Sequence, residues 1–201
     1  MIKVLTPATN RKLATLSQIK LELGIEENDD DSLLNSLILR MSGKIEDYCH
    51  RTFAKQVYEE TLSGKGKILL LTNTPIIYIT SVTCDGDPIV DYEIYNDEAG
   101  ELYRDAGWTW DTSVWWGKAT DNIKQNFTVV YCAGYLLPGE TGDGKPLPSA
   151  IEDACIQCVK EAYLSRRDSL RVTTERIGNY SVSYDPTPLL DKLLRSWVRI
   201  C

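Results

Sequence analysis

Leu33-Leu-Asn-Ser-Leu-Ile-Leu-Arg-Met-Ser-Gly-Lys-Ile-Glu-Asp-Tyr-Cys-His-Arg-Thr-Phe53 is the stretch that decides how this chain is read. Leu34, Leu37, Ile38, Met41, Ile45, Tyr48 and Cys49 recur at three-to-four spacing, which predicts one helix with a single core-facing stripe. With about 20 residues such a helix runs to roughly 30 Å. Any of Asp29 to Ser32 can cap its start, where carboxylates suit the positive end of the helix dipole. Upstream, Thr15-Leu-Ser-Gln-Ile-Lys-Leu-Glu-Leu-Gly24 predicts a shorter helix, with Thr15 or Ser17 as N-cap and Gly24 accepting the left-handed turn at its end.

From Phe53 the period changes. Gln56–Leu62, Lys67–Leu71, Ile76–Cys84, Tyr92–Tyr95, Glu101–Arg104 and Phe127–Ala133 are short β-favouring runs separated by Gly, Pro, Asn and Asp clusters. They predict a small antiparallel sheet or sandwich. Tyr135–Pro148 reads as a loop. A third helix follows Pro148, with Ile151, Ala154, Cys155, Cys158, Val159, Ala162 and Tyr163 inward. Next comes a hairpin, Val172–Tyr184, turning on Gly178-Asn179. Its register sets Thr173, Glu175 and Ile177 opposite Tyr184, Val182 and Tyr180, and Thr174 and Arg176 opposite Ser183 and Ser181. A last helix is expected over Leu189–Ile200. The resulting class is α+β: a helical core from the N- and C-terminal helices, a central antiparallel β insert, and a C-terminal β-hairpin followed by a helix. Three segments are expected: a helical part over 1–53, a β-rich insert over 54–147, and a helix–hairpin–helix over 148–201 that completes the core.

The net charge of −7 is uneven. Residues 1–53 carry 7 basic and 8 acidic side chains, residues 54–159 carry 7 and 16, and residues 160–201 carry 8 and 5. Nucleic-acid binding normally needs a basic stripe that releases phosphate counterions, and the acidic middle argues against one. Met1–Pro7 has no signal-peptide core, and the apolar runs are too short to span a bilayer. The chain is therefore expected to be made and kept in a cytoplasm, with its six cysteines as thiols.

Chemistry-bearing motifs are few, and each has a plainer reading. Gly139–Lys145 has the glycine spacing of a phosphate loop, but Pro146 stands where Ser or Thr should open a helix and hold magnesium. Cys155-Ile-Gln-Cys158 has zinc-type spacing without a second ligand pair, and three residues apart on a helix is also one buried face. His50 is the only histidine; at a helix end it caps carbonyls more often than it transfers protons. Trp108, Trp110, Trp115 and Trp116, with Tyr103, can fill a sheet core, form a protein interface or build a sugar platform. Carboxylates are plentiful without a catalytic context. Neither catalytic residues, nor metal ligands, nor a cofactor are expected.

Leu13–Ile25, then Asp29-Asp-Asp-Ser-Leu-Leu34, then Ile45–Phe53 with its Arg51-Thr-Phe53 exit, resemble the opening of the head–tail connector (adaptor) proteins of tailed double-stranded-DNA bacteriophages. Pro148–Ala154, Glu175–Tyr184 and the Leu-rich segment to Cys201 resemble the end of longer members. The central β segment resembles nothing that can be named and reads as a lineage-specific insert. The resemblance implies a structural virion protein: a dodecameric ring of identical subunits below the portal, which binds the portal, extends the DNA channel and receives the next neck or tail-completion protein. DNA would pass through without specific binding, an acidic wall letting it slide, and no membrane is involved. Partner contacts are expected on the hairpin and the mixed basic–apolar tail, at Arg176, Tyr180, Tyr184, Arg195, Trp197, Arg199 and Ile200. The rival readings are a head-closure or tail-completion neck protein, a carbohydrate-binding module built on the tryptophans, and an enzyme.

Overall fold

A computed structural model describes residues 1–64, 66–108, 127–167, 174–177, 180–183 and 187–199. The chain divides into two compact units: residues 1–9, 54–136 and 142–145 form one, and residues 10–53, 137–141 and 146–201 the other.

The described elements of the first unit are all β-strands. Strands β1 (Ile2–Thr6), β2 (Gln56–Leu62), β3 (Ile68–Leu70), β4 (Ile76–Cys84), β5 (Asp87–Pro88), β6 (Glu93–Asn96), β7 (Glu101–Tyr103) and β8 (Phe127–Ala133) make two antiparallel sheets. One has the order β1-β2-β8-β4-β5 and the other β3-β7-β6. β8 is central because its side chains are nearly all apolar: it pairs from Leu62↔Phe127 to Gln56↔Ala133 on one side and with β4 on the other. The sheets share one core of Tyr58, Leu69, Leu71, Val82, Leu102, Trp108, Phe127, Val129 and Tyr131, so the sandwich reading holds. The Asp85-Gly86 corner between β4 and β5 has φ of 50° and 97°, the two positive values that a type I′ hairpin turn needs.

Two strands escape the sequence reading. β5 is two residues long. β1 is exposed at all five positions, so no buried face imposes alternation on it; it is set by pairing with β2, Ile2↔Glu60 to Thr6↔Val57.

Glu60 is 1% exposed. Its carboxylate accepts from the Thr72 N–H (3.0 Å), the Thr72 hydroxyl and the Tyr131 hydroxyl (2.6 Å), which holds the bend after β3 to the sheet. Burial and that contact raise the Tyr131 phenol above its ordinary range. Trp108 is fully buried. Its indole N–H donates to the Leu102 carbonyl (3.0 Å), its ring meets Phe127 edge-on at 5.5 Å, and the Arg104 guanidinium stands 5.9 Å from it. Gly64 makes room for this pair: a Cβ there would lie 2.1 Å from the Trp108 carbonyl oxygen.

The second unit contains α1 (Leu16–Leu23), α2 (Asp31–Cys49), α3 (Ser149–Arg167), the hairpin strands β9 (Thr174–Ile177) and β10 (Tyr180–Ser183), and α4 (Thr187–Leu194). α1 begins with a capping box between Thr15 and Gln18 and ends at Gly24 in the left-handed region (φ 65°), as its spacing predicts. Asp30 is the N-cap of α2 but makes no side-chain cap; its carboxylate instead accepts from the Tyr163 hydroxyl of α3 at 2.5 Å. His50 ends α2 in the left-handed region, its N–H donating to the Asp47 carbonyl at 3.3 Å.

The buried side of α2 also contains two polar residues that the apolar stripe omits. Ser42 Oγ accepts from the Leu13 N–H (3.0 Å) and lies 3.6 Å from Cys155 Sγ. Glu46, 5% exposed, accepts from the Phe53 N–H (3.0 Å) and pairs with Arg11. Arg51 donates its N–H to the Glu46 carbonyl (3.1 Å) and sets its guanidinium 5.2 Å from the Phe53 ring. Burial pushes the Cys155 thiol up to about 12.

The last helix is shorter than its apolar spacing predicts. It ends at Leu194, passes into a 3-10 turn over Arg195–Trp197 and becomes extended at Val198. The reason is a competing bond: the Arg199 N–H donates to the Cys49 carbonyl at the end of α2 (3.1 Å), which a continued helix would withhold.

Glu46→Ala leaves the Phe53 N–H buried without an acceptor and should cost about 1–3 kcal/mol by urea denaturation. Arg11→Ala takes the counter-charge from a carboxylate that is 5% exposed and should cost about 1–3 kcal/mol, moderated because the Arg11 side chain is 51% exposed. Gly64→Ala should cost on the order of 1–3 kcal/mol or more through the overlap with Trp108. Burial raises the Cys155 thiol from its ordinary value near 9 to about 12, so its contribution to stability should be flat below pH 9 and fall from there to pH 12. Cys155→Ala should shallow that fall; an unchanged alkaline limb would exclude Cys155 as its source.

Candidate interaction surfaces

The residues that might have carried chemistry are occupied by structure. Lys145, the lysine of the loop that mimics a phosphate cradle, is held by Asp97 (2.7 Å) and Glu98 (2.9 Å), so its charge is already neutralised. The same pair raises the Lys145 ammonium and lowers the Asp97 carboxyl, each chiefly by their mutual hydrogen bond. Cys155 faces Ser42, and Cys158 lines an open groove. Among the described residues no three His, Cys, Asp or Glu side chains cluster in metal-binding fashion, and no helix is long and apolar enough to cross a membrane. Of the tryptophans, Trp108 is core; Trp110, Trp115 and Trp116 lie outside the described residues.

Glu46 and Glu60, the two buried carboxylates among the described residues, were invisible to motif reading because nothing in their spacing separates them from surface acids. Each spends its oxygens on backbone N–H and neighbouring side chains. Neither lines the groove or the hollow described next.

The groove, of about 600 Å3, runs along α2 and α3 and meets the start of α4. Leu33, Leu37, Met41, Cys158, Ala162 and Leu190 line it, with Arg40, Lys44 and Glu161. Met41, Cys158 and Ala162, which the helical spacing assigns to the core, are therefore only half-buried. A second hollow of about 420 Å3 lies over the acidic run, lined by Glu26, Glu27, Asp29, Asp30 and Tyr163. Lys20 neutralises the adjacent Asp31 at 2.8 Å.

The candidate partner residues fall in two places. In the hairpin the pairing is Ile177↔Tyr180, Arg176↔Ser181, Glu175↔Val182 and Thr174↔Ser183, the register read from the sequence. The side chains of Arg176 and Tyr180, and all of Gly178, Asn179, Tyr184 and Ile200, lie outside the described residues. Along the tail, Leu194 is the buried anchor and Asp191 accepts from the Tyr48 hydroxyl at 2.9 Å. That bond raises the Tyr48 phenol. Arg195 stands exposed, and Trp197 and Arg199 are half-buried, so the tail presents two cations around one indole.

Residues 13–81 match the family described as phage gp6-like head-tail connector protein. The match runs further than the resemblance read from the sequence, taking in β2, β3 and most of β4. Comparison with curated proteins gives no match. Among solved structures, the chain is similar to one from the neck of an empty gene transfer agent (GTA) particle computed with C6 symmetry, at TM-score 0.58 and 13% identity, covering 100% of this chain and 97% of that one. A chain from the neck of the native particle, computed with C12 symmetry, has TM-score 0.58 and 15% identity over the same shares. One from the native virion has 0.54 and 15%, over 96% and 94%. At these identities the likeness is one of fold, and it includes the β unit. The family match over residues 13–81 and the whole-chain likeness of fold to chains from a particle neck point in the same direction.

Proposed function

We propose that this chain is a structural head–tail adaptor of a tailed double-stranded-DNA phage or phage-like particle. Identical copies form a ring that binds the portal, extends the DNA channel and receives the next neck component. The observation that carries this reading is the coincidence of two comparisons: a connector-family pattern in residues 13–81, and a fold shared end to end with chains from a particle neck. The C6 and C12 symmetries of those necks support a ring as the working state. Within the matched range, Thr15, Glu46, Arg51 and Phe53 help to build the helical unit.

The chain's charge suits a channel component. Residues 54–159 carry 16 acidic against 7 basic side chains, and an acidic wall gives DNA no counterion-release gain for sticking. Catalysis has no part in the reading: the buried carboxylates and thiols are committed to packing and hydrogen bonds. Assembly takes place in the host cytoplasm, and the finished ring resides in the virion.

The portal contact is assigned to the C-terminal tail, where Arg195, Trp197 and Arg199 combine cationic and aromatic character of the kind that dominates interfaces. Native mass analysis of the chain with purified portal should give a ring bound to the portal, and Arg195→Glu should weaken that binding about ten-fold without changing the urea midpoint. A chain that stays monomeric and ignores the portal would overturn the reading. Full binding by Arg195→Glu and Trp197→Ala would move the contact elsewhere.

A further inference from the structure

β1 and β6 are both edge strands, and both are exposed along their whole length. Each carries apolar side chains in water: Ile2 43%, Val4 45% and Leu5 41% exposed on β1, Ile94 41% and Tyr95 65% on β6. Proteins ordinarily blunt such edges with proline, charge or very short strands. The far edge of the same sheet, β5, is blunted in that way: two residues, one of them Pro88. β1 has no proline and one charge.

The open hydrogen-bonding groups of β1 can be identified. Met1 and Thr61 exchange both of their backbone bonds, at 2.9 and 2.8 Å. Antiparallel pairs alternate, so Lys3↔Glu59 is the next bonded pair, while Ile2↔Glu60 and Val4↔Tyr58 are not. The N–H and C=O of Ile2 and Val4 therefore point away from β2.

The two edges are also complementary in charge. Around β6, Asp91 is held by Arg104, and Asp97 and Glu98 by Lys145. The Glu93 carboxylate and the Lys3 ammonium on β1 enter none of the ion pairs among the described residues.

We propose that β1 of one copy adds as a strand to the β6 edge of a second copy, with Lys3 beside Glu93, and that this pairing repeats between neighbouring subunits of the ring. The contact is heterologous, joining two different edges, which is what a closed ring of identical subunits needs. Main-chain bonds supply the affinity, and the Lys3–Glu93 pair and the apolar side chains supply the register. The inference rests on the ring reading above.

The test compares self-assembly by native mass analysis, with portal present, for wild type, Val4→Pro, Lys3→Glu, Glu93→Lys and the double charge exchange. Val4→Pro deletes an outward N–H that β2 does not use; an edge strand accepts proline at such a position, and circular dichroism checks that the sheet is kept. Val4→Pro and either single charge reversal should weaken assembly about ten-fold or more, and the double exchange should restore it. Rings formed by Val4→Pro and Lys3→Glu at wild-type concentrations would overturn this inference and leave the ring reading standing. Wild-type chain that remains monomeric with portal would overturn both. Loss in the single variants without recovery in the double exchange would overturn the Lys3–Glu93 register.

Discussion

The helical unit depends on one buried carboxylate. Glu46 takes the Phe53 N–H and the Arg11 guanidinium at once, so the segment entering the unit and the segment leaving α2 are tied to the same helical turn. Burying an acid is costly unless its acceptor capacity is used, and here both oxygens are used. Ser42, one turn earlier on α2, repeats the device by accepting from the Leu13 N–H. Arg51 then covers the Phe53 ring. The Arg51-Thr-Phe53 exit is thus a cap on a helix end, and its residue types follow from that geometry.

The β unit solves a similar problem in its own way. Glu60 lies under the bend after β3 and is satisfied by Thr72 and Tyr131, while Trp108 closes the other part of the core against Phe127 and the bare backbone at Gly64. What remains outside is uneven. Among the described residues, most of the large apolar side chains left in water belong to this unit, chiefly on β1, β3 and β6. These exposed apolar side chains gather on strand edges, where open backbone bonds can add direction to hydrophobic contact.

Much of the fold was legible along the chain. α1 and α2 announce themselves by periodic apolar residues, Thr15 and Gly24 by capping chemistry, and β2, β4 and β8 by β-branched runs between turns. The hairpin register followed from one Gly-Asn turn. What was not legible has a common cause. β1 has no buried face to impose a pattern, Ser42 and Glu46 look like surface residues of an amphipathic helix, and the last helix is cut at Leu194 by a bond to Cys49. Each depends on a residue far away in the chain. Of the residues proposed for partner contact, the basic–apolar character of Arg195, Trp197 and Arg199 could be read directly, but not which of them reaches water.

Composition and periodicity by themselves determined the α+β class, the acidic middle and the lack of any motif built for chemistry, because those properties are local and additive along the chain. Only tertiary structure decided which acids are buried acceptors, that Trp108 belongs to a core, and which strand edges stay open. Those outcomes turn on partners brought together across many intervening residues, and no local spacing encodes them.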